Sequence, residues 1–267
     1  MNAPNSKLWQ NYESFGRARG RMVAHLLSQQ IDLSRSSILD FGCGEGAVAL
    51  ELAAAGAHVV ALDENNEKIS KLRTIVHQTR AKVKIVDHMP AEKECFDAVV
   101  LVDVIEHLNC PEAVLKSVHN ALKPGGIIYL STPSKLSPAN ILCDPHFSLP
   151  IVSLLNRQQV RFVLADLLHW QPRDRMDFPQ LFRLESLWKL LLAGGFQPCL
   201  INSAAAKYAF QHPQSIWNRD SHLKIIRFMK RIGGTNVVER YLSDTPDFFN
   251  CWINPAWYLI AKKKSRC

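Results

Sequence analysis

The chain has 267 residues, 47% of them hydrophobic and 21% charged, the profile of an ordinary globular protein. No apolar run reaches the ~18–20 residues of a membrane span, which excludes an integral helical membrane protein. The formal net charge of +8 favours anionic partners such as nucleic acid, acidic lipid or phosphorylated small molecules, and solubility alone accounts for it equally well.

The opening residues, MNAPNSKLWQNYES, hold no apolar segment and do not read as a signal peptide. Residues 16–30 read as a helix on a sheet, with an arm before it that carries Trp9, Tyr12 and Phe15. Such an arm either closes over a ligand, with Tyr12 the residue to watch, or covers the sheet edge.

Residues 38–46, ILDFGCGEG, organise the rest. Ile38, Leu39 and Phe41 end a buried strand, and Gly42, Gly44 and Gly46 follow at alternate positions around Cys43. Residues 47–55 then read as a helix. Glycine lets the backbone turn tightly and approach a ligand, and a helix start supplies free N–H groups. A ligand-free turn is the plain alternative. Gly42 to Ala47 also fits the G-x-G-x-x-A pattern of dinucleotide sites. Asp40, just before the glycines, repels a pyrophosphate and suits an ammonium group.

HVVALD, 58–63, is a buried strand ending in Asp63, 23 residues beyond Asp40. That spacing places an acid beside a ribose, where one carboxylate accepts from two hydroxyls. Glu64 follows it and joins the candidate set. A solvated strand-end acid is the alternative. Residues 65–78 form a polar helix with an Ile69, Leu72, Ile75 and Val76 stripe. AKVKIVD, 81–87, is the third strand, with Asp87, His88 and Met89 at its end. Residues 98–102 are a buried fourth strand that runs through Val102 to Asp103. A turn over 104–108 and a helix over 112–122 come next. KPGG, 123–126, stops that helix, and IIYLSTP, 127–133, is the fifth strand.

The D-x-G-x-G-x-G run from Asp40 to Gly46 resembles the first motif of the class I S-adenosylmethionine (SAM) dependent methyltransferases. FDAVVLVDVIEHL with ALKPGGIIYLSTP resembles the central half of the large group that includes the ubiquinone-biosynthesis O-methyltransferases. The resemblance covers 38–133 and is specific for fold and cofactor, not for substrate. It implies an α/β fold: a Rossmann-like, seven-stranded, doubly wound sheet with an antiparallel last strand. It implies SAM as cofactor, with Asp40 and the glycine backbone on its methionine end and Asp63 on the ribose. Asp87, His88 and Met89 fall on the adenine, Met89 packing on the ring. The backbone of Val102 and Asp103 faces the reacting centre.

Methyl transfer from SAM is an in-line displacement that needs an aligned nucleophile and, for a hydroxyl, a proton acceptor. His107 is the candidate base, since its ordinary pKa near 6.5 suits proton removal at neutral pH. The alternative is an anchor for the turn. Asp103, Glu106 and His107 also spell D-x-x-E-H, and His146 can reach them from the following segment. This is similar to the E-x-x-E-H of small-RNA 2′-O-methyltransferases and some ubiquinone-pathway enzymes, where a divalent ion binds vicinal hydroxyls. Asp103 is shorter than their first Glu. The donors suit Mg²⁺, Mn²⁺ or Zn²⁺ without choosing.

Residues 134–180 read as an insertion over the C-terminal edge of the sheet, where open α/β folds bind ligands, and so as a substrate lid. Within it 144–150 is a loop and 150–170 an apolar helix, broken near Asn156. Burial of this run in a plain core is the alternative. Residues 181–196 form a helix ended by Gly194 and Gly195, 198–204 the sixth strand, and 253–264 an antiparallel last strand. Between them, 205–250 is a second insertion with Lys224, Arg227, Lys230 and Arg231 near one helical face. The expected organisation is a single domain over 1–267 with two insertions. Seven cysteines (43, 95, 110, 143, 199, 251 and 267) without a C-x-x-C pair argue against a zinc ribbon or disulfide framework and for a cytoplasmic setting.

The expected function is SAM-dependent methylation, at oxygen, of a small or lipid-linked amphiphilic acceptor, with peripheral contact to an anionic membrane. An RNA methyltransferase is the second reading, although no RNA-binding module or aromatic–basic alternation is present. A non-catalytic SAM-binding regulator is the third. Nothing downstream of the glycines resembles a hydride-transfer site. Oligomeric state is not legible.

Overall fold

Five short runs of Val, Ile, Leu and Ala, each bounded by turns, supply strands that can be buried on both faces, the signature of a parallel sheet. A computed structural model describes residues 6–175, 177–217 and 220–264; the side chains of residues 6–13, 221 and 222 lie outside the description. The strands are β1 (Ser37–Phe41), β2 (His58–Leu62), β3 (Val83–Val86), β4 (Phe96–Val102), β5 (Leu122–Pro133), β6 (Phe196–Leu200) and β7 (Ala256–Lys263). They form one sheet in the order β3-β2-β1-β4-β5-β7-β6. The first five are parallel, and β7 runs antiparallel to both β5 and β6. This is the Rossmann-like sheet that the resemblance implies. Strand order reverses between β1 and β4, which opens a crevice above their C-terminal ends.

Helices cover both faces: α1 (Ser6–Ser28), α2 (Ala47–Ala54), α3 (Asn66–Thr79), α4 (Pro111–Ala121), α5 (Pro138–Leu142), α6 (Arg157–Arg161), α7 (Leu184–Ala193), α8 (Asn202–Gln211), α9 (Asp220–Arg231), α10 (Gly234–Tyr241) and α11 (Phe248–Trp252). On one face Met22, Leu26 and Leu27 of α1 and Leu52 of α2 pack against Ile38 and Val59. On the other, Leu115 and Val118 of α4 and Leu187 and Leu191 of α7 pack against Leu39, Val99 and Ile128. No helix among the described residues is long and apolar enough to cross a membrane.

Several local expectations change. The first helix starts at Ser6, so the aromatic arm is its first half; the Tyr12 side chain lies outside the described residues. Residues 123–126 do not precede the fifth strand but bulge from it. Leu122 pairs with Phe96 and Ile127 with Ala98, and Gly125 takes φ 75° to make room. The sixth strand ends at Leu200, where pairing with Leu259 ends, and Asn202 opens α8 instead of extending it.

The lid helix is broken at Asn156, as its sequence suggests. Asn156 accepts from the Gln159 N–H while Gln159 accepts from the Asn156 N–H, a reciprocal cap that starts α6 afresh. The helix widens to π-type turns over Phe162–Leu167 and ends before His169, at φ 53°. Val152, Val160, Leu164, Ala165 and Phe178 make a small core of their own. Ile151, Phe162, Leu167 and Trp170 stay 58–62% exposed.

Candidate active site

The glycine loop is held by its backbone. Gly42, Gly44 and Gly46 have φ of 73°, 56° and 81°, a region that costs other residues about 1–2 kcal/mol each. A Cβ on Gly42 would meet Val104 at 2.6 Å, and one on Gly46 would meet Leu72 at 2.2 Å. A Cβ on Gly44 would meet nothing within 4 Å. The outer glycines are therefore packing requirements, while Gly44 faces open space. Cys43 is half-buried in the same loop, its thiol pKa pushed up by burial and then by the charge of Asp40. Its N–H and that of Gly42 both donate to the Leu62 carbonyl, tying the loop to β2.

Asp40 is buried at the end of β1, and its Oδ2 makes no hydrogen bond among the described residues. Burial, then the charge of Asp63, pushes its pKa up to about 7. Asp63, at the end of β2, accepts from the Gly44 N–H at 2.7 Å and the Asn65 N–H at 2.8 Å. One lone pair on each oxygen remains for a further donor. Glu64 is exposed beside it. At the end of β3, Asp87 pairs with Arg73 at 2.9 Å, His88 is exposed, and Met89 packs partly on the sheet.

A second group of candidate residues starts where β4 ends at Val102. Asp103 takes φ 52°, a strained value for a side-chain-bearing residue. Arg19 of α1 holds its Oδ2 at 2.6 Å, and the Ser131 hydroxyl donates to its Oδ1 at 3.0 Å. Burial lowers the Arg19 pKa, but Asp103 and the phenols of Tyr258 and Tyr129 outweigh that, and the guanidinium stays charged. Asp103 is thus spent on Arg19 and does not join the D-x-x-E-H donors.

Glu106, His107 and His146 do come together, with ligand atoms all within 4.8 Å of one another. Glu106 is fully buried; Thr132 donates to its Oε2 at 2.9 Å, and its Oε1 makes no hydrogen bond among the described residues. Burial, then the charge of Asp103, raises its pKa to about 8. The lid supplies His146, whose Nε2 lies 3.8 Å from Glu106 Oε1. Its buried Nδ1 makes no hydrogen bond among the described residues and lies 3.9 Å from Asp144. Burial, then His107, lowers its pKa. The rings of His107 and His146 meet edge-on at 4.9 Å.

His107 Nδ1 lies 2.6 Å from Asp177 Oδ1, also from the lid. Burial pulls the His107 pKa down, but the Asp177 hydrogen bond and the charge of Glu106 reverse this, and the net shift is upward. Arg157 of α6 clamps the same turn, donating to the Glu106 carbonyl at 3.0 Å, the Leu108 carbonyl at 2.8 Å and the Asn109 side chain. The segment 134–180 therefore does lie over the end of β4.

Residues 15–200 match the methyltransferase domain family, well over half of the chain. The chain belongs to the class I SAM-dependent methyltransferases. The ubiquinone biosynthesis O-methyltransferase of Xylella fastidiosa is 32% identical over 121 residues, 43% of this chain and 49% of that protein. Its Rickettsia akari counterpart is 26% identical over 162 residues, 60% of this chain and 58% of that one. The chain spans about half the length of the curated relatives it matches. A solved SAM-dependent methyltransferase of Mesorhizobium loti, 14% identical, superposes with a TM-score of 0.54 over 90% of this chain and 96% of its own, a likeness of fold alone.

The residues of this methyltransferase fit its cofactor. A buried carboxylate with an unpartnered oxygen suits an ammonium, and Gly44 leaves the approach clear. Arg19, Thr132, Asp144, Arg157 and Asp177 were not legible as site residues. All but Asp144, which contacts His146 two residues on, act through a residue far away in the chain, and no local pattern marks them.

Proposed function

We propose that this methyltransferase moves the methyl group of SAM to an oxygen of an amphiphilic acceptor, in a cytoplasmic setting that its six described free cysteines support. The observation that carries the reading is the Glu106, His107 and His146 cluster beneath an apolar lid. SAM supplies an electrophilic methyl on a sulfonium. Asp40 and the glycine loop hold the methionine end, Asp63 the ribose, and residues 87–89 the adenine. The lid excludes water and offers apolar surface to the acceptor.

The cluster fits a divalent cation. Glu106 Oε1 is buried without a hydrogen bond among the described residues, which is costly unless something binds there, and His146 Nε2 faces it at 3.8 Å. Glu106, His107 and His146 would hold the ion, with Asp177 orienting His107 from behind. Two imidazoles and one carboxylate favour Mn²⁺ or Zn²⁺ over Mg²⁺. Such an ion lowers the pKa of a coordinated hydroxyl.

A second reading rests on the 2.6 Å contact between His107 and Asp177. With Nδ1–H donated to Asp177, His107 Nε2 keeps its lone pair and can take the hydroxyl proton itself. Transfer of labelled methyl to a polyprenylated catechol tests both. Loss of turnover in EDTA, restored by Mn²⁺ or Zn²⁺, supports the ion; full turnover in EDTA with loss in His107→Ala supports the base. No transfer to any catechol or phenol, lipid-linked or free, defeats the O-methylation reading.

A further inference from the structure

The second insertion carries a helix with two separate apolar faces. On α9, Ile226 is 8% exposed and Leu223 and Met229 are half-buried, so one face anchors the helix to the protein. Ile225, Phe228 and Ile232 recur at i, i+3 and i+7 on another face, and they are 55%, 61% and 63% exposed. Lys224, Arg227 and Arg231 follow the same spacing one step round and are exposed, as is Lys230. None of the four cations pairs with a carboxylate among the described residues, and Arg227 bonds only the Leu223 carbonyl of its own helix. Residues 221–238 contain no Asp or Glu. On α10, Val237, Tyr241 and Arg240 repeat the exposed apolar and basic pairing.

We propose that α9 is a docking surface for an anionic lipid bilayer. A helix lying in the plane of a membrane buries a stripe of this kind just below the headgroups, and Lys and Arg beside it meet the phosphates. A face built for solubility alone carries both signs and no apolar row. A protein interface enriches Arg but sheds Lys from its centre. The single sign of charge beside the apolar row complements an acidic bilayer. Docking of this kind brings the enzyme to the phase where a lipid-linked acceptor resides, but binding itself does not depend on what the acceptor is.

Co-sedimentation of the full chain with vesicles tests the proposal without any acceptor. The chain binds vesicles of equal phosphatidylglycerol and phosphatidylcholine at least roughly tenfold more tightly than phosphatidylcholine alone, and 0.5 M salt weakens the binding. Phe228→Ser with Ile232→Ser, and separately Lys224→Glu with Arg227→Glu, each reduce binding roughly tenfold or more. All four side chains are exposed, so affinity for S-adenosylhomocysteine stays unchanged and reports that the fold is intact. Absence of binding to the acidic vesicles overturns the proposal, as does binding that neither variant weakens. A dimer that Phe228→Ser dissociates, with no vesicle binding, also overturns it and assigns the face to a second copy of the chain.

Discussion

The proposed cofactor side and the proposed acceptor side of this site are held by different means. Residues 40–46 are fixed by backbone: three glycines at positive φ, the register of β1 with β2, and the Gly44 N–H on Asp63. The turn over 103–109 is fixed by side chains from distant segments. Asp177 reaches His107 across 70 residues, Arg157 the Leu108 carbonyl across 49, and Arg19 the strained Asp103. A backbone-built site is indifferent to most side chains around it. A site built from lid side chains changes when the lid changes. One cofactor loop can therefore serve many acceptors.

That separation can be broken experimentally. The largest effect is expected from His107→Ala, which should lower kcat roughly 10²–10⁴-fold while leaving calorimetric affinity for S-adenosylhomocysteine intact. A parallel loss of cofactor affinity would show that the two sides are one unit. Next, Gly46→Ala should lower stability by about 3 kcal/mol, because its Cβ meets Leu72 at 2.2 Å in a left-handed backbone. Gly44→Ala should lower stability by only about 1 kcal/mol and act instead on cofactor affinity. Urea denaturation and calorimetry of the pair separate fit from function, and equal stability losses would contradict the assignment of Gly44 to the ligand.

Asp40 gives the cofactor side its own pH signature. Its folded pKa of about 7 lies above the unfolded value, so the folded state holds the extra proton between about pH 4 and 7. Its contribution to stability is complete below about pH 4 and is lost as pH rises through about 7. Wild-type apoprotein should therefore lose about 4 kcal/mol across that window relative to Asp40→Asn. A bound ammonium favours the charged carboxylate, so S-adenosylhomocysteine should restore most of the loss. Identical pH profiles for the two proteins would show that Asp40 is already charged. The smallest effect belongs to the acceptor side. Asp177→Asn should cost kcat about tenfold and move the acidic limb of its pH profile downward, because Asp177 raises the His107 pKa.

This difference in construction explains what the sequence revealed. The strands, the glycine loop and the acid at the end of β2 are local patterns, and the sheet they form is the expected one. His146 was suggested as a lid donor because its chemistry fits the E-H pair, and it lies beside them. Asp103 looked like a third donor from spacing alone. Only the fold shows that Arg19 of α1 takes it away. The lid was legible as apolar and as broken near Asn156, where a new helix is capped. Its widened turns over 162–167 and its private core around Leu164 were not, because hydropathy marks neither.

The position of β7 sets the order in which this protein can finish folding during synthesis. β7 leaves the ribosome after the other six strands, yet it lies inside the sheet, between β5 and β6. Until it emerges, β5 has a bare edge and β6 has no strand to pair with. Trp257, fully buried, and Lys263, whose Nζ donates to the Leu122 carbonyl at 2.6 Å, arrive with it. A nascent chain halted near residue 250 should expose that edge, and protease digestion of stalled and released chains would show it, with cleavage of both at equal rates contradicting this order. The glycine loop is made early, but the sheet beneath the turn over 103–109 closes only once β7 has emerged.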